Sequence, residues 1–186
     1  MARLPEDLVI GSLLARRLSW SDLGDLCAMH ADPLVMQTLG GVRDRAGTEC
    51  YLERNMERWR AHGFGIYSLR ELDSHRRFVG RAGLRRVQLL GKDETEGAHA
   101  LRREAWGHGL GTVVCQALCG LAEDAGLASE LVAFTSPTNQ RSRRVMEKAD
   151  FVYQREFDHD GQPHVLYRCT GSLSRTGVQS DDSAEA

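Results

Sequence analysis

Residues Glu94 to Thr112 read Glu-Thr-Glu-Gly-Ala-His-Ala-Leu-Arg-Arg-Glu-Ala-Trp-Gly-His-Gly-Leu-Gly-Thr. The stretch opens as a short alternating strand through Leu101. It closes on Gly107, Gly109 and Gly111, which feed an apolar helical segment. Glycines at the mouth of a helix leave backbone N–H groups open to a ligand. The helix N-terminus adds partial positive charge, so the place suits a phosphate or pyrophosphate. The run Gly107-His108-Gly109-Leu110-Gly111 is neither a dinucleotide-binding Gly-x-Gly-x-x-Gly nor a P-loop, because no Gly-Lys-Ser/Thr follows.

Downstream, Val113, Val114, Ala117, Leu118, Leu121 and Ala122 continue the helix, which Gly126 should end. Leu131 to Thr135 is a nearly continuous apolar run, as expected for a strand buried on both faces. Ser136 to Asn139 breaks it. A helix carrying Ser142, Val145, Met146 and Ala149 follows. Strands are expected at Phe151–Phe157 and Val165–Cys169, joined through His159-Asp160-Gly161.

Upstream, Leu8 to Leu18 reads as a first strand or strand-like entry. Ser19, with Asp22 three residues later, offers an N-cap for a helix through Leu23, Leu26, Cys27 and His30. Asp32-Pro33 stops that run. The Gly40-Gly41 pair and Arg43 to Gly47 form a loop. A second helix opens at Thr48 and carries Leu52, Met56 and Trp59 to a C-terminal Gly63. Phe64–Leu72 and Arg77–Val87 read as strands around an Asp73-Ser74-His75 turn. Gly80 and Gly83 suggest a bulge or a close neighbour, and Leu89 to Asp93 a loop. The order predicts an α/β fold: a mixed sheet flanked by helices on both faces.

The totals narrow the function. A chain of 186 residues fits a single domain, assigned to residues 1–170, with a polar tail at 171–186 that is too poor in apolar groups to order itself. A net charge of −2 gives no reason to expect a nucleic-acid partner. No apolar run is long enough to cross a membrane, and no secretory leader stands at the start, so no membrane partner is expected. The five cysteines are scattered without a Cys-x-x-Cys, which suits buried thiols, no metal site and a reducing cytoplasm.

Two segments together resemble the GNAT superfamily of N-acetyltransferases. The first is Trp106-Gly107-His108-Gly109-Leu110-Gly111-Thr112, similar to the coenzyme A loop Gln/Arg-x-x-Gly-x-Gly/Ala, with Trp106 in the Gln/Arg place. The second is Asn139-Gln140-Arg141-Ser142 followed by Glu147-Lys148-Ala149-Asp150-Phe151. It is similar to the Asn-x-x-Ser and Glu-Lys-x-Gly-Phe of the ribosomal-protein alanine acetyltransferase (RimJ/RimL-type) branch. The resemblance spans roughly residues 8 to 169 and implies a mostly antiparallel central sheet. The chain departs from the branch at Asp150 (usually Gly), Arg103 (often Pro), His99 (commonly Tyr) and Met146 (often a catalytic Tyr).

The resemblance implies an acyltransferase that moves the acetyl group of acetyl-CoA to a primary amine by direct attack on the thioester. The acceptor would be a protein N-terminus or a small-molecule amine, and the enzyme a monomer or homodimer. By resemblance, the pantetheine should lie along Ala100 to Arg103, taking in Leu101 and Arg102, with the pyrophosphate on the N–H groups of His108 to Thr112. Glu96 is the first candidate for the base, with Glu94 and His99 behind it. Ser142 could hydrogen-bond the departing sulfur, and Asn139 either contacts the pantetheine or caps its helix. Some of Arg102, Arg103, Arg141, Arg143 and Arg144 should face phosphates. The acceptor site should draw on Leu34 to Arg43, Phe64-Gly65 and the hairpin Glu156 to His164, with Trp20 and Trp59 more suited to core packing. A non-catalytic acyl-CoA sensor or an interaction module on the same fold is the competing reading.

Overall fold

A computed structural model describes residues 3–73 and 75–170, and the backbone of 178–179. The sheet runs β7-β8-β6-β5-β4-β3-β2-β1. Its first arm is antiparallel: β1 (Asp7–Ile10), β2 (Leu13–Arg17), β3 (Ile66–Glu71), β4 (Phe78–Leu89) and β5 (Lys92–Leu101). The second arm is antiparallel too: β6 (Glu130–Thr135), β8 (Gln162–Thr170) and β7 (Val152–His159). Val178–Gln179 pairs with β1 as a short ninth strand. The rest of the tail expected at 171–186 lies outside the described residues.

Helices cover both faces. On one lie α4 (Leu110–Asp124) and α5 (Gln140–Lys148), whose Val114, Leu118, Leu121 and Met146 are buried in the larger core. On the other lie α1 (Leu23–His30), α2 (Pro33–Met36) and α3 (Arg45–His62). Leu26, Met36 and Leu52 from these helices pack on Ile66, Phe78 and Ala100.

Some local expectations shift. Leu8 to Leu18 is not one strand but a hairpin, turned at Gly11-Ser12, because Ile10 and Leu13 pair across the turn. Asp22 accepts from the Ser19 amide at 3.0 Å, but Trp20–Asp22 is a 3-10 turn before α1 begins. α3 starts three residues earlier than its apolar stripe suggests, because Asp44 caps it by accepting from the Gly47 amide at 2.8 Å. Pro33 opens α2 as its first residue, a position where its missing N–H costs nothing. β4 and β5 reach into the loop expected at Leu89 to Asp93 and leave Leu90-Gly91 as the turn. The bulge near Gly80 is present, with Val79 the extra residue between the pairs Leu69–Gly80 and Arg70–Phe78. Gly83 marks a close approach, since a Cβ there would run into the Gly65 carbonyl oxygen.

Candidate active site

The two arms of the sheet meet at β5 and β6, which are parallel and share one register pair, Glu96–Val132. Beyond it the strands separate. Their ends line a cleft of about 1310 Å³ with Gly97 to Leu101 on one wall and Ala133 to Thr135 on the other. Parallel neighbours need a crossover, and α4 supplies it, so its N-terminus stands at the mouth of the opening.

The glycine loop is built for close backbone approach. Gly107 and Gly109 hold φ of 80° and 77°, and the space where their Cβ atoms would sit is open. Thr112 and Val113 donate to the Gly109 carbonyl. Among the described residues, the amides of His108, Gly109, Leu110 and Gly111 have no partner. Four free N–H groups at the positive end of a helix fit an anion such as a pyrophosphate. Trp106 braces the loop by donating from Nε1 to the Leu101 carbonyl at 2.9 Å. Its ring also carries the Arg141 guanidinium at 4.4 Å, which holds a cation over the cleft.

Leu101, Trp106, Gly107, Gly109 to Thr112, Asn139, Ser142 and Glu96 all line the cleft. Arg102, Arg103 and His108 do not. Arg103 is engaged with Asp32 at 2.7 Å and Arg102 with Glu104 at 3.5 Å. Asn139 caps α5 by accepting from the Ser142 amide at 3.2 Å. Its Nδ2 donates to Thr38 at 3.0 Å and to Thr135 at 2.9 Å, so the side chain ties α5 to β6 and to the segment after α2. The Ser142 hydroxyl has no partner among the described residues and remains available to a ligand. Met146 is buried in the core and puts no polar atom into the cleft.

Alternation along β5 sorts the candidate bases. His99 faces α4, with Nδ1 3.4 Å from the Cys115 sulfur. Burial, helped by the Arg81 charge, pushes His99 from 6.5 down to about 4, so it is neutral and weakly basic at neutral pH. Burial likewise pushes the Cys115 thiol up to about 12. Glu94 and Glu96 share the opposite face, but only Glu96 lines the cleft. Glu94 lies before the separation point and pairs with Arg168 at 2.5 Å. Glu96 is 3% exposed and held by Arg85 through a two-pronged contact at 2.5 and 2.9 Å. Burial opposes the Arg85 charge, but Glu96 outweighs it and the guanidinium is held above its ordinary value. The contact uses one lone pair on each Glu96 oxygen and leaves others for an incoming donor.

Leu34 to Arg43 and the end of the β7–β8 hairpin also line the cleft, with His159 and His164 edge-on to Phe134. Trp59 is buried with Nε1 bound to the Ile66 carbonyl, and neither it nor Trp20 lines the cleft. Sequence reading missed the inner face of α3 and the facing positions of β4: Tyr51, Asn55, Arg58, Arg81 and Arg85 all line the cleft. The i, i+4 and i+7 spacing of Tyr51, Asn55 and Arg58 was the available signal. It resembles an ordinary amphipathic stripe until a partner face is known.

A cleft between diverging parallel strands, with free helix amides at its mouth and a carboxylate inside, suits a transferase whose ligand joins an extended arm to an anionic head. The sequence profile of the acetyltransferase (GNAT) domain matches residues 12–152, and the chain belongs to that family. It is an acyltransferase whose co-substrate is acetyl-CoA and whose acceptor is an amine. Solved structures with the same fold include the acetyltransferase of Agrobacterium tumefaciens strain C58, at 22% identity and TM-score 0.76, covering 89% of this chain and 94% of that one. RimL, a ribosomal-protein α-N-acetyltransferase in complex with coenzyme A, aligns at 16% identity and TM-score 0.75, covering 89% and 98%. AAC(6′)-Ib in complex with paromomycin and acetyl-CoA aligns at 22% and 0.70, covering 86% and 93%.

No helix among the described residues is long and apolar enough to cross a membrane. All five cysteines are free.

Proposed function

We propose that the pantetheine arm of acetyl-CoA enters where β5 and β6 separate, its pyrophosphate on the free amides of His108 to Gly111 and under Arg141, the Thr112 amide being taken by the Gly109 carbonyl. The acceptor amine then approaches from the α3 side, where Glu96 lies. The free amides at the N-terminus of α4, beside the opened strands, carry this reading. The amine nitrogen attacks the thioester carbon, the C–N bond forms and the C–S bond breaks. The proton lost by nitrogen passes to the Glu96 carboxylate, directly or through water, and ends on the departing thiolate. The Ser142 hydroxyl hydrogen-bonds that sulfur as charge builds on it.

An α-amine loses its proton within about one unit of neutral pH and a lysine amine about three units above it, so a protein N-terminus or a small α-amine asks less of a base than a lysine does. The five free thiols suit a reducing cytoplasm. Monomer and homodimer both fit this reading, since it draws every site group from one chain. Thiol release from acetyl-CoA, followed over a panel of peptide N-termini and small amines, is the test. Tight coenzyme A binding with no turnover on any amine would favour the acyl-CoA sensor instead.

A further inference from the structure

Among the described residues, five buried side-chain nitrogen or oxygen atoms have no hydrogen-bond partner: His30 Nε2, Arg43 NH1, Tyr51 OH, Asn55 Oδ1 and Arg81 Nε. They are not scattered. Tyr51 stands edge-on to His30 with ring centroids 5.0 Å apart, Arg81 lies over its ring at 4.5 Å and Arg43 at 5.5 Å. Asn55 donates to the Tyr51 carbonyl at 2.7 Å. Arg81 is 7% exposed and is in no ion pair among the described residues, and neither are Arg43, Arg54 and Arg58. Of the cleft-lining carboxylates, Glu96 is taken by Arg85 and Asp160 is exposed on the far hairpin. The wall of the cleft under α3 is therefore an excess of guanidinium charge with unspent donors.

From this we infer that the acceptor amine carries an anionic group, a carboxylate or a phosphate, and that Arg81 and Arg43 bind it. The inference rests on the acetyltransferase reading above and specifies its acceptor. The cofactor's own phosphates do not explain the cluster. Arg81 is opposite Ala100 in the β4–β5 register, on the α3 face, whereas the free amides of α4 lie on the other face. A buried guanidinium with donors to spare recognises an oxyanion through charge-assisted, often two-pronged hydrogen bonds. The same charge rejects polycationic acceptors.

Two measurements test this. In thermal-shift titrations with coenzyme A already bound, succinate or inorganic phosphate should raise Tm further in the wild type. That gain should vanish in Arg81→Gln and in Arg43→Gln. No gain with either anion at tens of millimolar overturns the inference, while the shift from coenzyme A alone reports separately on the cofactor site. Arg81→Met, which removes an unpaired buried charge, should keep or raise Tm without ligand. A lower Tm with the anion response intact makes Arg81 structural and also overturns the inference.

In thiol-release assays, the α-carboxamides of aspartate and phosphoserine and a peptide beginning with acidic residues, whose amines are about as basic as that of glycinamide, should each outperform glycinamide and spermidine. The rank among the first three tells carboxylate from phosphate and small molecule from peptide. Arg81→Gln should raise KM for the preferred anionic amine about 100-fold and leave kcat within a few-fold. Equal or better turnover of glycinamide or spermidine refutes the anionic acceptor and leaves the acetyltransferase reading intact.

Discussion

On the α4 face of β5, Gly97 meets Leu118 and Leu131, and His99 meets a thiol and the first turn of a helix. Ligand binding there is left to backbone amides. On the α3 face, Glu96 and Ala100 look toward Arg85, Arg81 and Tyr51, and binding falls to charged side chains, several without partners. One strand thus separates a surface of open backbone amides from one of buried charged side chains. Backbone donors cost little to hold in place, because the helix fixes them. Buried side-chain polar atoms left without a partner cost about 1–3 kcal/mol each, so the α3 face is the costlier of the two to hold.

The largest expected loss is on the α4 face. Gly109→Val forces a β-branched residue into a φ of 77° and crowds the free amides. Acetyl-CoA at about 100 times its Kd should stabilise the wild type by about 2.7 kcal/mol in a thermal-shift assay, and the mutant should show no shift. A normal shift would move the pyrophosphate site elsewhere. Next, on the α3 face, Glu96→Gln should lower kcat about 100-fold with a smaller change in KM. It should also lower Tm, because Arg85 loses its counter-charge. Unchanged kcat at a lowered Tm would reduce Glu96 to a structural role. Ser142→Ala, which removes one hydroxyl facing the cleft, should lower kcat about 10-fold with KM nearly unchanged. An unaltered kcat would remove Ser142 from the chemistry.

An effect on stability links both faces through pH. Burial lowers His99 to about 4. Burial, with Arg81 and Arg43, lowers His30 to about 3. The unfolded chain takes up these protons near pH 6.5 and the native chain does not, so stability falls as pH drops from about 6.5 towards 4. The slope should approach about 1.4 kcal/mol per pH unit for each histidine. His99→Gln should roughly halve it in urea melts at several pH values. The smallest effect expected is that of Arg103→Ala. With its partner Asp32 on the surface, it should change stability by less than about 1 kcal/mol and the acetyl-CoA Kd by no more than a few-fold.

The strand from Glu94, the glycine turn, the apolar helix and the Asn139 cap could all be read along the chain, because each depends on neighbours within a few residues. So could the shared face of Glu94 and Glu96, a consequence of strand period. That Glu96 enters the cleft while Glu94 pairs with Arg168 depends on where β5 parts from β6. This is set by Val132, 36 residues away in sequence. The hairpin at Gly11-Ser12 was legible as well, since a Gly-Ser pair between the short apolar runs Leu8 to Ile10 and Leu13 to Ala15 is a two-residue turn signal.

By itself, the sequence determined one side of the cleft: a local turn of glycines before α4, with the Asn139 cap of α5 beside it. Only the tertiary structure decided the side under α3. His30, Arg43, Tyr51, Asn55, Arg81 and Glu96 come from separate segments that look individually like helix stripes, loop charges and strand polarity. Their meaning lies in burial against one another, and burial is a property of packed elements that no local pattern encodes.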